Sequence, residues 1–222
     1  MSLKNNNIIT IDGPSASGKG SLAMALAKEL NFILLDSGLL YRAYSYCFGR
    51  NQKHSLAMDL FSQLNIQSID HEMHVFENNT DITSILRHEN IAKSASQLSS
   101  LKETRDNLIS FQRDLASDNG LVADGRDMGT VVFPDAGTKI FLVADAKVRA
   151  KRRFVELQNA DQGVNMRDLI EDIRLRDEAD KAREISPLMP ADDSIEVNSS
   201  DLTPQEVLEL VLKIYKEHTK EV

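Results

Sequence analysis

The sequence contains one cysteine, no tryptophan and only 5% aromatic residues among its 222 residues. With Cys47 alone, no disulfide can form within the chain, so nothing indicates a disulfide-stapled fold or an oxidising compartment. No apolar run is long enough to cross a bilayer, and residues 1–7 lack the apolar core of a signal peptide. We therefore expect a cytoplasmic protein with no membrane partner.

Net positive charge is lacking as well. The chain has 26 Lys and Arg against 34 Asp and Glu, which leaves a net charge of −8. Non-specific binding of nucleic acid needs a basic surface that neutralises phosphates, so we expect no nucleic-acid partner, although local basic clusters remain open. The length and the 41% hydrophobic content are typical of a globular protein with one large domain, or a core with an insertion.

Short apolar runs alternate with helix-forming stretches along the chain. This pattern predicts an α/β fold in which helices cover both faces of a parallel sheet. The last helix is marked by Thr203 as N-cap, Pro204 at the first helical position and Glu206 completing a capping box. The remaining predicted elements are strands at 8–12, 32–36, 121–124, 138–143 and 194–198, and helices at 21–30 and 38–48.

The stretch from about residue 50 to residue 100 has a different character. It is more polar, carries histidines and contains short strand-like pieces at 67–70 and 74–77, with a turn signal at Asn78-Asn79. We interpret it as a lobe inserted into the α/β core.

A glycine-rich loop between the first predicted strand and helix matches the phosphate-binding pattern G-x-x-x-x-G-K. Its glycines let backbone N–H groups point at phosphate oxygens, the helix N-terminus adds a positive dipole end, and Lys19 reaches the β and γ phosphates. The residues predicted to bind ATP are Gly13, Pro14, Ser15, Ala16, Ser17, Gly18, Lys19, Gly20 and Ser21. Because Gly20 and Ser21 follow the lysine, the loop is similar to that of nucleoside monophosphate kinases rather than GTPases.

Other P-loop classes lack support. A GTPase would carry Asn-Lys-x-Asp to bind guanine and Asp-x-x-Gly in its switch, and neither is found. A motor-type ATPase would carry Asp-Glu at the end of a hydrophobic strand, but the only Asp-Glu, at Asp177-Glu178, follows no such strand. Small-molecule kinases remain. Asp124, at the end of a predicted strand, is a candidate for holding Mg²⁺, directly or through water, and is equally well explained as a turn or N-cap aspartate.

Two basic clusters suit a kinase, which must hold two polyanions together. Residues 147–153 read Lys-Val-Arg-Ala-Lys-Arg-Arg and predict either a phosphate-facing lid or a solvated basic helix face. A second helix has one face that changes from apolar to charged. The charged part of this face either lines a ligand cleft or forms exposed ion pairs along the helix, and the spacing alone does not decide between the two. That face comprises Leu169, Ile173, Arg176, Asp180 and Arg183.

Four segments together resemble the bacterial cytidylate kinases of the nucleoside monophosphate kinase group, over nearly the whole chain. They are Ile-Asp-Gly-Pro-Ser-Ala-Ser-Gly-Lys-Gly-Ser from Ile11, Leu-Leu-Asp-Ser-Gly from Leu34 running to Tyr41-Arg42, Ala-Asp-Gly-Arg-Asp-Met-Gly-Thr-Val-Val-Phe-Pro-Asp-Ala from Ala123, and Arg-x-Arg-Asp-x-x-Asp-x-x-Arg from Arg174. The segment 75–96 also resembles the enlarged insert of the bacterial enzymes.

The resemblance implies a three-layer α/β/α P-loop kinase core in a single domain over 1–222. It implies an NMP-binding region with insert at 38–100 and a short lid at 147–164. The implied reaction is phosphorylation of CMP and dCMP by ATP with Mg²⁺, in pyrimidine nucleotide metabolism. We expect a monomer.

Site residues follow from the same resemblance. It implies that the acceptor's 5′-phosphate is held by Arg42, Arg126 and Arg183. It places Arg176 and Asp180 near the sugar and its phosphate, and Ser37, Ser96, Arg105 and Asp127 around the sugar and base. The residues expected to act in catalysis are Lys19, Arg126, Arg152 and Arg153, with Arg149 as a further basic residue of the lid.

The chemistry of cytosine supports this assignment. A carboxylate such as Asp127 can accept from the amino group while Arg105 donates to the ring acceptors. Uracil presents a carbonyl instead and would leave the carboxylate unpaired, at a cost of about 1–3 kcal/mol. The alternatives are a kinase for AMP or UMP, and a non-catalytic nucleotide-binding regulator whose partner contacts the insert at 50–100.

Overall fold

The structure is a computed structural model that describes residues 5–116, 119–159 and 165–220. The strands, in chain order, are β1 (Asn5–Asp12), β2 (Ile33–Asp36), β3 (Asn65–Ile69), β4 (Glu72–Glu77), β5 (Thr80–Asp81), β6 (Leu121–Gly125), β7 (Ala136–Val143) and β8 (Ile195–Asn198). The helices are α1 (Lys19–Leu30), α2 (Ser37–Asn51), α3 (His54–Phe61), α4 (Thr83–Leu86), α5 (Glu89–Leu98), α6 (Lys102–Asp114), α7 (Ala146–Asn159), α8 (Met166–Lys181) and α9 (Pro204–Lys220). A π-helical turn, Met128–Val132, lies between β6 and β7.

The central sheet has the strand order β2-β6-β1-β7-β8, and all its neighbouring pairs are parallel. Strand β1 lies in the middle, with Ile11 opposite both Asp124 of β6 and Ile140 of β7. The carboxyl ends of these strands therefore meet at one edge, where open α/β sheets bind their ligands. The predicted α/β fold with a parallel sheet is confirmed.

Helices cover both faces of this sheet because the strand residues alternate in direction. Ile9 and Ile11 pack with Leu26 of α1 and Val211 of α9, in one buried cluster. Ile8 belongs to a second cluster that includes buried residues of α2, α5 and α6. The result is the predicted three-layer core.

A smaller antiparallel sheet, β3-β4-β5, lies within the stretch predicted as an insert. Its two turns, Asp70-His71 and Asn78-Asn79, have positive φ angles, which the short polar side chains of Asn and Asp tolerate well. The His71 Nδ1 atom lies 3.3 Å from the backbone oxygen of Phe32, so the β3-β4 turn contacts the core beside β2.

The α9 helix begins with the predicted capping box. The Thr203 N–H donates to Glu206 Oε2 at 2.8 Å, and the Glu206 N–H donates to Thr203 Oγ1 at 3.3 Å.

Within the ranges given above, none of the helices combines the length and apolar character that a bilayer crossing requires.

Candidate active site

The loop after β1 folds tightly against the neighbouring strand and leads into α1. At Gly13, with φ +149°, a Cβ would lie 2.1 Å from the backbone oxygen of Leu142, so no larger residue fits. Gly18, with φ +96°, is the N-cap of α1, and Lys19 donates from Nζ to the Pro14 oxygen at 2.8 Å. The loop therefore combines a helix N-terminus with a lysine folded back over it, which is the geometry of a phosphate cradle.

Lys19 and Asp124 lie together in a buried environment that disfavours their charged forms. Burial, and then the charge of Arg126, lower the pKa of Lys19, while burial raises the pKa of Asp124. The Oδ2 atom of Asp124 lies beside Gly20, the residue after Lys19: a Cβ atom at Gly20 would be 3.5 Å from it. An anion near Lys19 and a cation near Asp124 would each restore the charged form.

A single charged cleft runs from this loop toward α2, α5, α6 and α8. Eight cationic side chains and four carboxylates line it, so its net charge is positive in a chain of net charge −8. The cations are Lys19, Arg42, Arg87, Arg105, Arg126, Arg153, Arg176 and Arg183, and the carboxylates are Asp36, Asp124, Asp127 and Asp180. Such a field attracts phosphate-bearing ligands.

Asp180 of α8 orients two of these arginines. Its carboxylate is 1% exposed and accepts from Arg126 Nε at 2.9 Å and from Arg183. Burial opposes its ionisation, but Arg126 and Arg183 outweigh burial and keep the pKa of Asp180 below its ordinary value. The two guanidinium groups are thereby held in fixed positions with donors left over for a ligand.

Arg176, one turn earlier on α8, is held differently. Its Nε atom is inaccessible to solvent and has no hydrogen-bond partner among the described residues. Burial, followed by the charge of Arg126, lowers the pKa of Arg176 to about 10. A buried donor without a partner is costly, so this group indicates a place for an anion.

Another part of the cleft contains a buried ion pair between Arg105 of α6 and Asp127. Arg105 also donates to the backbone oxygen of Ser99 at 3.0 Å, and its guanidinium carbon lies 5.7 Å from the centre of the Tyr41 ring. Burial raises the pKa of Tyr41 to about 12, so this phenol stays neutral. This part of the cleft offers an acceptor, a donor fork and an aromatic ring, a combination suited to a planar heterocycle.

Three further arginines approach the cleft from α2, α7 and the segment after α4. Arg42 donates to the Leu86 oxygen at 3.1 Å, and Arg153 donates to Glu89 at 2.7 Å. Arg87 lies 3.7 Å from Asp36, which also N-caps α2 through the Leu39 N–H.

Fifteen residues predicted from the sequence line this one cleft. They are Ser15, Ala16, Lys19, Gly20, Ser37, Arg42, Ser96, Arg105, Asp124, Arg126, Asp127, Arg153, Arg176, Asp180 and Arg183. The sequence reasoning missed Asp36, Tyr41 and Arg87, which line it as well. Asp36 and Tyr41 are neighbours of the predicted Ser37 and Arg42, whereas Arg87 has no motif around it that could have singled it out.

The arginines predicted for the lid separate into two groups. Arg149 donates to the Ser15 oxygen at 3.0 Å, and Arg152 donates to the Ser17 oxygen at 3.0 Å and to Ser199. Both therefore bind backbone oxygens of the phosphate loop. Arg153 lines the charged cleft, and Arg152 does not. Of the predicted lid at 147–164, residues 160–164 lie outside the described part of the chain.

A second, more apolar pocket of about 550 Å³ lies on the other side of the phosphate loop. Its lining includes Leu22, Leu142, Val148, Leu202 and Val207, together with loop residues Ala16 to Gly18. The phosphate loop thus stands between an apolar pocket and a cationic cleft.

A model of the cytidylate kinase family matches residues 9–217. The chain belongs to the cytidylate kinase family. Curated proteins named cytidylate kinase include one from Pseudomonas fluorescens, 44% identical over 92% of this chain and 93% of that protein. Another, from Pasteurella multocida, is 40% identical over 97% of this chain and 98% of that protein. The predicted family is confirmed, and with it the expectation that the chain is a kinase.

Among solved structures, the chain is similar to a protein from Eubacterium ventriosum described as uncharacterized. The TM-score is 0.50 at 14% identity, and the match covers 95% of this chain and 98% of that one. At that identity the likeness shows the fold alone, and it agrees with the three-layer core described above.

Arg176→Gln tests the proposed anion site of this cytidylate kinase family member. The substitution removes a positive charge that has no hydrogen-bond partner among the described residues, so we expect the ligand-free variant to unfold at the parent's temperature or above it. Inorganic phosphate at ten times its dissociation constant would stabilise the parent by about 1.4 kcal/mol, or about 3–6 °C. Thermal unfolding with and without phosphate should show that the variant loses most of this shift.

Arg174→Gln is the matched control. Arg174 lies two residues away on α8, but it is exposed and pairs with Glu171 and Glu178. This variant should keep the full phosphate shift. The same shift in both variants would show that Arg176 does not contact the anion.

Proposed function

We propose that this protein transfers the γ-phosphoryl group of ATP to the 5′-phosphate of CMP or dCMP, releasing ADP and CDP or dCDP. The observation that carries the proposal is the continuity of one cationic cleft, from Lys19 of the phosphate loop to the buried Arg105–Asp127 pair. Membership of the cytidylate kinase family and the curated relatives named cytidylate kinase support the same activity.

ATP would bind with its phosphates on residues 13–21. The apolar pocket behind the loop, lined by Leu22, Leu202 and Val207, has the position and character suited to the purine base. Arg152 borders that pocket and binds Ser17, so we assign it to holding the loop rather than to contact with the transferred phosphoryl group.

The acceptor phosphate would be bound by Arg42, Arg126 and Arg183, with Arg176 supplying the unpartnered donor. Asp180 supports this assignment because it holds Arg126 and Arg183 in place without occupying all their N–H groups. Ser37 and Ser96 line the same cleft and suit contacts to the sugar.

The base would be read by Asp127 and Arg105. Both are almost fully buried, so an unpaired group there is not compensated by water. The cytosine amino group can donate to Asp127, whereas uracil presents a carbonyl to it, at a cost of about 1–3 kcal/mol. We therefore expect CMP to be preferred over UMP by about tenfold or more.

The chemical step needs no nucleophilic side chain, since an acceptor phosphate oxygen is already ionised at neutral pH. That oxygen attacks the γ-phosphorus in line, and the bond from the γ-phosphorus to the oxygen bridging it to the β-phosphorus breaks. Lys19, Arg126 and Arg153 would stabilise the charge that develops on the transferred group. Their positions in a partly closed cleft strengthen this effect because little water screens it.

Asp124 is the group that fits Mg²⁺. Such ions take one or two carboxylates and complete their coordination with water and substrate phosphates. Asp124 meets this description, and its buried carboxylate would be stabilised by a cation. Across the described ranges, no cluster of three or more His, Cys, Asp or Glu forms a protein-only metal site. When bound, Mg²⁺ would neutralise charge on the nucleotide phosphates.

We propose the region 38–100 as the acceptor-binding part, because Arg42, Arg87 and Ser96 line the cleft from it. We keep 147–164 as the lid, with Arg153 as the residue that reaches the cleft. The expected monomer and cytoplasmic location stay predictions.

A coupled assay of ADP release across acceptors tests the function. CMP and dCMP should be phosphorylated with the highest kcat/KM, UMP about tenfold or more below them, and AMP lower still. Equal or better use of UMP or AMP would instead indicate another monophosphate kinase. Binding of ATP without turnover on any acceptor would favour a non-catalytic regulator.

Lys19→Ala tests the phosphate loop. We expect kcat to fall by at least about a hundredfold, because a charge that acts on the transferring group is lost from a buried site. Lys28→Ala, an exposed lysine on the same helix, is the control and should keep the parent's kcat. An unchanged kcat in Lys19→Ala would remove this lysine from the mechanism.

Asp127→Asn tests the base assignment. The amide keeps the shape of the carboxylate but can donate to the uracil carbonyl, so the CMP over UMP preference in kcat/KM should fall by about tenfold. The KM for ATP should change little. Asp106→Asn, on the exposed side of α6 beside Arg105, is the control and should keep the parent's preference for CMP over UMP. If Asp127→Asn has the same preference for CMP over UMP as the parent, the base is read elsewhere.

A further inference from the structure

Asp12 is a buried carboxylate that lies behind the cleft. It is the last residue of β1 and directly precedes Gly13 of the phosphate loop, and it is 5% exposed. Its Oδ1 accepts from the Met128 N–H and its Oδ2 from the Gly129 N–H, both at 2.8 Å. Both oxygens are therefore engaged by backbone N–H groups, and Asp12 does not line the cleft.

The two N–H groups belong to the π-helical turn that follows Asp127. The backbone oxygen of Asp127 accepts from the Val131 and Val132 N–H groups at 2.9 and 3.2 Å, so the π-helical turn begins directly at this residue. The first N–H groups of any helix have no hydrogen-bond acceptor within the helix, and a carboxylate at that end accepts from them. Asp12 is thus the anchor of the segment that carries Arg126 and Asp127.

We propose that Asp12 is a positioning residue for the acceptor site: its carboxylate fixes the π-helical turn, and so sets where Arg126 and Asp127 stand relative to the phosphate loop. Because Asp12 adjoins Gly13, one side chain ties the ATP-binding loop to the groups assigned to the acceptor. This inference rests on the proposed function, since it assumes that Asp127 reads the base.

The packing around the turn explains why its position depends on such an anchor. A Cβ on Gly129 would lie 2.9 Å from Thr10 Oγ1 and 3.4 Å from Asp12 Oδ2. The turn therefore sits against β1 with no space for even a methyl group. A shift of a few tenths of an ångström here moves the neighbouring Asp127 with it, and site geometry is sensitive on that scale.

Asp12→Asn is the principal test. The amide keeps one acceptor oxygen but turns an NH₂ group toward a backbone N–H, so one end of the turn loses its partner. We expect the KM for CMP to rise about tenfold and the CMP over UMP preference to fall by a similar factor, with the KM for ATP within about twofold of the parent.

Thr10→Val is the matched control. Thr10 is buried two residues earlier in β1 and faces the same glycine, but its hydroxyl has no hydrogen-bond partner among the described residues. This variant should keep both KM values and the base preference. If Asp12→Asn lowers kcat with CMP and UMP alike and leaves their ratio unchanged, Asp12 acts only in folding and the proposal is wrong.

A second pair of variants decides the matter if Asp12→Asn yields no folded protein. Gly129→Ala should displace the turn with the carboxylate intact and raise the KM for CMP more than the KM for ATP. Adding Thr10→Ala removes the oxygen that the new methyl group meets, and should restore the KM for CMP. A normal KM in Gly129→Ala, or no restoration in the double variant, would overturn the proposal.

The outcome also separates this inference from the function on which it rests. A parent protein with no preference for CMP over UMP overturns the base assignment and this inference together. A parent that prefers CMP, and an Asp12→Asn variant that prefers it equally, overturn only the role of Asp12.

Discussion

The concentration of positive charge in one partly buried cleft is the condition on which the rest of the structure depends. Eight cations meet there in a chain whose net charge is −8. Burial lowers the pKa of Arg42, Arg176 and Arg183, because the fold removes these charged groups from water. A phosphate-bearing ligand would place negative charge beside these guanidinium groups and so favour their charged forms.

The protein keeps this cleft stable by fixing its arginines to carboxylates and backbone oxygens that leave donors free. Asp180 orients Arg126 and Arg183, and Arg105 is held by Asp127 and the Ser99 oxygen. Preorganisation of this kind lowers the free-energy cost of arranging charges during the reaction. Arg176, without a partner among the described residues, is the clearest sign that a ligand completes the arrangement.

Local patterns in the sequence predicted the parts of the site that depend on neighbours along the chain. The phosphate loop needs a strand, glycines at fixed offsets and a lysine at the helix start, all within about a dozen residues. The capping box at Thr203 and Glu206 is equally local, and the structure shows it. The spacing of Arg176, Asp180 and Arg183 predicted a common face of one helix, but spacing could not say whether that face met solvent or a cleft.

Long-range contacts decided what local patterns could not. Arg149, Arg152 and Arg153 follow one another within five residues, yet two hold the phosphate loop from outside and the third reaches the cleft. Arg87 of the insert reaches the cleft and lies 3.7 Å from Asp36 at the end of β2. Asp12 accepts hydrogen bonds from Met128 and Gly129 across 116 and 117 positions of sequence.

The amino-acid sequence by itself determined the alternating strands and helices, the phosphate loop and the family, since these rest on short-range periodicity and on motifs. Only the tertiary structure decided which arginines share the cleft, which bind the phosphate loop, and which carboxylate accepts from the N–H groups of the π-helical turn. The physical reason is that burial and hydrogen-bond partnership are properties of the packed chain, and a charged side chain takes its role from the groups that surround it.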